Sequence, residues 1–234
     1  MKYTYLFIDI LTVVIPVVFS FHPKIRFYVH WKYLFPALGI TSILFISWDI
    51  LFTHLGIWWF NDPYVTGIKI ANLPFEEVLF FFTIPYASVF LYYSVKVFFK
   101  ESRYKILSAI VSPGIIIYQL FMILLFYDRL YTLVSSLSVI VLVIFLQYYK
   151  GVAFLGRFYF SFAILLIPFI LVNGLLTGGM FLNNEIVSYN NFENSGIRIL
   201  TIPLEDVSYC FVLILSNIWL YEYFFRKKSE VRSN

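Results

Sequence analysis

Long apolar runs separated by short polar stretches pattern the whole chain. Each run is long enough for a helix to cross about 30 Å of hydrocarbon at about 1.5 Å per residue. Seven helices are predicted, over residues 3–20, 32–51, 77–99, 105–125, 130–149, 157–176 and 204–225. Pro16, Pro36, Pro85, Pro113 and Pro168 fall inside them, where proline removes a donor and bends the axis, opening room for a ligand. Composition agrees: 61% of residues are hydrophobic, 13% are charged, and the mean hydropathy is +0.85. Such a chain is an integral membrane protein.

The first run reads as a retained helix rather than a leader, because Asp9 interrupts it and no small-x-small cleavage pattern follows. The lone Cys210 permits no internal disulfide and reads as a core thiol. A net charge of +4 and a pI of 9.0 do not point to nucleic acid, since the basic residues are not gathered on one face or tail. They lie in alternate loops. Lys24, Arg26, Lys32, Lys96, Lys100, Arg103, Lys105, Lys150, Arg157, Arg226, Lys227, Lys228 and Arg232 fall on one side, 13 of the 17 Lys and Arg residues. Lys2, Lys69, Arg129 and Arg198 fall on the other. The positive-inside rule then places the C-terminus in the cytoplasm and the N-terminus outside, in a bacterial-type inner membrane.

Two segments repeat one another: Thr66-Gly-Ile-Lys-Ile-Ala-Asn-Leu-Pro-Phe-Glu-Glu77 and Ser195-Gly-Ile-Arg-Ile-Leu-Thr-Ile-Pro-Leu-Glu-Asp206. Ten of the twelve positions are identical or chemically similar. A shift of 129 residues superposes helices 1–3 on helices 5–7, although the similarity fades in helices 1 and 5. The expected fold is all-α: a bundle of seven transmembrane helices built as two parallel three-helix repeats, with helix 4 as connector. It forms one membrane domain, 1–234, with repeat one at 1–100, the connecting helix at 101–128, repeat two at 129–228 and a cytoplasmic tail at 229–234. The longest loops, 52–73 and 177–202, precede helices 3 and 7 on the outer side. Within them Leu55–Phe60 and the Asn-rich stretch 183–194, after Gly178-Gly179, read as re-entrant or lid-like.

Each repeat puts two adjacent carboxylates, Glu76-Glu77 and Glu205-Asp206, just after a proline at a helix start. Ordinary capping would explain this at a soluble helix, because proline presets φ and the dipole favours negative charge. At a membrane helix end, acids that enter hydrocarbon cost several kcal/mol, which favours a functional reading. Neighbouring helical residues point about 100° apart, so one acid of each pair, taken as Glu76 and Glu205, is expected to face inward. Asp49, after Trp48 in the last turn of helix 2, and Asp9 in helix 1 lie toward the same side; Asp9 also suits a structural bond to a neighbouring helix. Asp49 has no acidic counterpart in the second repeat, where Asn173 is the closest polar residue. Trp48, Phe75, Phe80, Tyr86 and Tyr209 are the aromatic candidates for lining an apolar chamber, against interfacial belts and packing for most of the others. Aromatic faces stabilise cations.

No metal-ligand spacing among His22, His30 and His54, no phosphate loop, no dinucleotide fingerprint and no Asp-rich diphosphate motif occurs, so neither a metal nor a cofactor is expected. Trp48-Asp-Ile-Leu-Phe-Thr53, Gly56-Ile-Trp58, Leu73-Pro-Phe-Glu-Glu77 with Phe80-Phe81 and Pro85-Tyr86, Pro203-Leu-Glu-Asp206 and Leu220-Tyr-Glu222 together resemble the membrane lycopene cyclase domain family in its fused form. The resemblance spans essentially the whole chain, departing at Tyr92-Tyr93, where Tyr-Glu is expected. It implies a carotenoid cyclase, an isomerase of the lycopene β-cyclase type, with Glu76, Glu77, Glu205 and Asp206 as catalytic acids. A protonated carboxyl would donate H⁺ to the terminal C=C of a linear ψ-end. The neighbouring double bond would close a six-membered ring, and a carboxylate would remove a proton, with no net oxidation. The implied partners are a hydrophobic carotenoid, the lipid bilayer, and a second copy or other carotenoid enzymes. A seven-helix proton-coupled transporter and a carotenoid-binding subunit are the alternatives from other classes.

Overall fold

The structure, a computed structural model, describes residues 2–99, 104–178 and 184–233; Lys100, Arg103, Gly179 and Asn183 lie outside the described residues. Helices α1 Thr4–Phe19, α2 Trp31–His54, α3 Phe75–Phe98, α4 Tyr104–Leu125, α5 Leu130–Ile144, α6 Leu155–Leu176 and α7 Leu204–Ser233 match the seven expected segments. Among the described residues, six are long and apolar enough to cross a membrane, α5 being extended by a π turn at Phe145–Tyr149. The expectation of seven full-length spans is corrected at α1, which has 16 residues. Its Ser20 hydroxyl and N–H both return to the Pro16 carbonyl, ending the helix at about 24 Å. All five interior prolines sit within helices as expected.

Short strands interrupt the bundle: β1 Trp58–Phe60, β2 Lys69–Ile70, β3 Leu73–Pro74, β4 Val187–Tyr189, β5 Arg198–Ile199 and β6 Ile202–Pro203. The two stretches expected to be re-entrant or lid-like supply β1 and β4, which pair with each other. The Asn190 N–H donates to the Ile57 carbonyl beside that pairing, so extended backbone meets its hydrogen-bonding needs across the loops.

The chain divides into two compact units. One comprises Met1–Leu55, Phe60–Phe98 and Leu213–Asn234. In it α3 packs against α1 and α2. Tyr5 meets Glu77, Asp9 meets Thr83 and Ser20 meets Tyr86, so α1 and α3 run in the same direction. At the far end of α3, Phe27 is fully buried among the rings of Tyr86, Phe90, Tyr93 and Tyr221, 5.2–6.4 Å away. There Glu222 accepts from the Tyr92 hydroxyl at 2.7 Å and faces Lys96 at 3.6 Å. Tyr92, which precedes the departing Tyr93, thus partners Glu222, the acid that stands at the position equivalent to Tyr93.

The second unit comprises Gly56–Trp59 and Phe99–Val212. In it α4 packs on α5 and α6. The outer face of α4 is an apolar stripe, with Ile106, Ile110, Ile117, Phe121 and Leu124 exposed. Its other face buries Ser112 and Gln119, two turns apart, with Met122. Gly156 lets α6 approach the start of α4, since a Cβ there would sit 1.7 Å from the Tyr104 carbonyl oxygen.

Candidate active site

The duplicated twelve residues fold the same way twice. Lys69 pairs with Pro74 and Ile70 with Leu73; Arg198 pairs with Pro203 and Ile199 with Ile202. Each is an antiparallel hairpin with a two-residue loop, whose first residue, Ala71 or Leu200, has a positive φ of 54° or 58°. The prolines close β3 and β6 one residue before the helix, rather than opening it as expected. They sit there because the first helical N–H, of Phe75 or Leu204, is already taken by the Ile68 or Ile197 carbonyl at the base of the hairpin. The hairpin therefore sets where α3 and α7 begin, and with it the position of the acids.

Both members of each pair are buried, which corrects the expectation of one inward acid per pair: Glu76 is 0%, Glu77 7%, Glu205 2% and Asp206 5% exposed. They avoid one another by using different partners. The first acid of each pair turns back to the loop. Glu76 Oε1 accepts the Thr66 N–H at 2.6 Å, and Glu205 Oε1 accepts the equivalent Ser195 N–H at 2.7 Å. Glu205 Oε1 also accepts from the Thr132 hydroxyl. In both copies Oε2 is buried with no hydrogen-bond partner among the described residues.

The second acid turns to the preceding parallel helix. Glu77 Oε2 accepts from the Tyr5 hydroxyl of α1, and Asp206 Oδ1 accepts from the Tyr131 hydroxyl of α5 at 2.7 Å. Asp206 Oδ2 accepts from Asn173 Nδ2 at 2.7 Å and from the Tyr189 hydroxyl at 2.9 Å. Three donors on two oxygens suit a carboxylate, an acceptor-only group.

Of the remaining expected site residues, Asp49 is buried in α2, which runs on to His54, so it lies more than one turn before the helix end. Trp48 stacks on Phe45 at 5.7 Å and meets Phe52 edge-on. Phe80 packs edge-on against Tyr5, beside Glu77's partner. Asn173 reaches Asp206, and Tyr209 lies within 6.5 Å of the Tyr131 and Trp58 rings. Two residues part from the acids. Phe75 is 37% exposed on the surface of α3. Tyr86 lies nine residues past Glu77, about 13 Å along the helix and near its middle, with its hydroxyl bonded to Ser20 and Trp31. Asp9 is fully buried, with Thr83 Oγ1 3.5 Å from Oδ1.

Sequence reasoning missed Tyr5, Tyr131, Thr132 and Tyr189. Hydroxyl side chains at the first turns of helices 1 and 5 were the available signal, obscured by register. Tyr5 and Tyr131 stand 126 residues apart, whereas the acid pairs stand 129 apart.

No curated protein and no solved structure matches the chain. The family model described as Lycopene cyclase matches residues 2–95 and 128–224, two segments that begin 126 residues apart and end 129 apart, the same two offsets. These segments hold both acid pairs and both tyrosines and together cover most of the chain, which therefore belongs to the lycopene cyclase family.

Proposed function

We propose that the protein is a membrane isomerase that closes the ψ-ends of a linear carotenoid, lycopene, into β-rings by proton-initiated addition. The observation that carries this reading is the duplicated pair of buried carboxyls at a helix start, one with an open oxygen and one held by a tyrosine. A carboxyl O–H gives its proton to the terminal C=C, the tertiary cation is attacked by the neighbouring double bond to form the ring C–C bond, and a carboxylate takes a ring proton. One proton enters and one leaves, so the product is an isomer. Glu76, Glu77, Glu205 and Asp206 are the proposed acid and base groups, with Asp49 as a further buried carboxylate. Trp48 and Phe80 in the first unit, and Asn173 and Tyr209 in the second, are each proposed to shape apolar space for the substrate within their own unit, and aromatic faces suit a cation that water must not reach.

We further propose that the two matched segments descend from one duplicated three-helix unit, which the paired offsets and twin hairpins support. The N-terminus is proposed outside and the C-terminus in the cytoplasm of a bacterial-type inner membrane; a reporter fused in the Lys150 loop that reads outside would reverse this. Expression in lycopene-making cells tests the function. Cyclised carotenoid in the extract is expected, and unchanged lycopene alongside membrane-inserted protein would refute it.

A further inference from the structure

Helix α4 lies outside both segments matched by the family model, yet it carries a buried polar side chain into the neighbourhood of one acid. Gln119 is 5% exposed. Its Nε2 donates to Ser208 Oγ at 2.9 Å, leaving Oε1 buried with no hydrogen-bond partner among the described residues. Gln119 and Glu205 line the same narrow pocket, together with Thr132, Ser135, Ser136 and Ser208. Glu205 Oε2 is likewise buried with no hydrogen-bond partner among the described residues. Two buried acceptor oxygens without donors, on two residues of one pocket, are a costly arrangement, because each has given up its hydration without a replacing hydrogen bond. A single proton resolves both. A carboxyl that is protonated donates one hydrogen bond, and a glutamine carbonyl oxygen accepts it.

We propose that Glu205 carries a proton at Oε2, directed toward the Gln119 carbonyl oxygen, while Asp206 is the anion of the pair, and that Gln119 is a positioning residue for the acid. The partner sets separate the two roles. Asp206 receives Tyr131, Asn173 and Tyr189 on both oxygens, whereas Glu205 receives the Ser195 N–H and Thr132 on Oε1 alone. Among the described residues, Asp206 on its own helix and Tyr118 on α4 are the titratable groups that interact with Glu205, and no basic side chain lines the pocket. The helix joining the two matched segments is then part of the acid site rather than a tether. The use of this proton in ring closure rests on the cyclase reading, but its presence does not.

Infrared spectroscopy of the purified protein at neutral pH tests the proposal through the C=O stretch of protonated carboxyls, which is distinct from carboxylate bands. Glu205→Gln is expected to delete one such band, Asp206→Asn to leave it in place, and Gln119→Leu to move it to higher frequency as its hydrogen bond is lost. If Glu205→Gln fails to accumulate, wild type and Gln119→Leu made with ¹³C-carboxyl glutamate carry the test, because the band that responds to Gln119→Leu must also shift with the label. A spectrum unchanged in Glu205→Gln, or no glutamate band responding to Gln119→Leu, overturns it. The latter is the result expected if the Gln119 amide donates to an ionised Glu205. A protein that keeps the Glu205 band but forms no rings would refute the cyclase reading and leave the proton assignment standing.

Discussion

Tyr131 and Asp206 are joined by a 2.7 Å hydrogen bond that ties the first turn of α5 to the first turn of α7, as Tyr5 ties α1 to Glu77 on α3. Tyr131→Phe keeps the ring contacts to Trp58 and Tyr189 but removes the donor. A hydrogen bond to a charged group contributes about 1.5–3 kcal/mol. A loss of stability of that size, read as a lower unfolding midpoint, is expected together with slower ring closure, measured by thermal unfolding in detergent and by product chromatography. An unchanged midpoint would show that the bond does not hold Asp206.

Glu76→Gln retains an amide oxygen to accept the Thr66 N–H but cannot deliver a proton. A positioned general acid typically contributes 10²–10⁴-fold. Turnover is expected to fall by about that factor while membrane content stays at the wild-type level, compared by carotenoid extraction and immunoblotting. Full activity would remove Glu76 from the reaction.

The hairpin backbone makes a prediction free of side-chain chemistry. Leu200 holds φ 58°, a conformation that costs an L residue roughly 1–2 kcal/mol, and Leu200→Gly relieves it at the expense of a more flexible unfolded chain. Gly196 has φ 74° and open space around the missing Cβ, so Gly196→Ala adds conformational strain alone. The unfolding midpoint is expected to hold or rise in Leu200→Gly and to fall in Gly196→Ala.

Gly156→Ala meets a different obstacle, the Tyr104 carbonyl. Backbone cannot swing aside as a side chain does, so overpacking of about 1–3 kcal/mol or more is expected. It would be measured as a lowered midpoint or loss of folded protein from the membrane, whereas Gly114→Ala, with open space at its Cβ, is expected to behave as wild type.

Much of this arrangement is legible in the amino-acid sequence. Helix positions follow from apolar length, because a chain crossing lipid must satisfy its own backbone, and the acid pairs stand out because carboxylates are scarce in such runs. The partners of the acids are harder to read. A hydroxyl at Tyr5 or Tyr131 is unremarkable among 19 tyrosines, and the three-residue difference in offset hides their equivalence from any single shift. Burial of both neighbours in a pair was also concealed. Helical geometry separates their directions, but a hairpin on one side and a parallel helix on the other give each direction its own polar partner. The pairing of Trp58–Phe60 with Val187–Tyr189 is not legible, because strand pairing between distant loops leaves little trace in their local composition.

The claim beneath these predictions is that solvent-exchangeable carboxyl protons start the ring closure. Purified protein supplied with lycopene in deuterium oxide tests it by mass spectrometry of the product. One deuterium per ring formed, with no change in oxidation level, is the expected result; rings formed without deuterium would contradict the account.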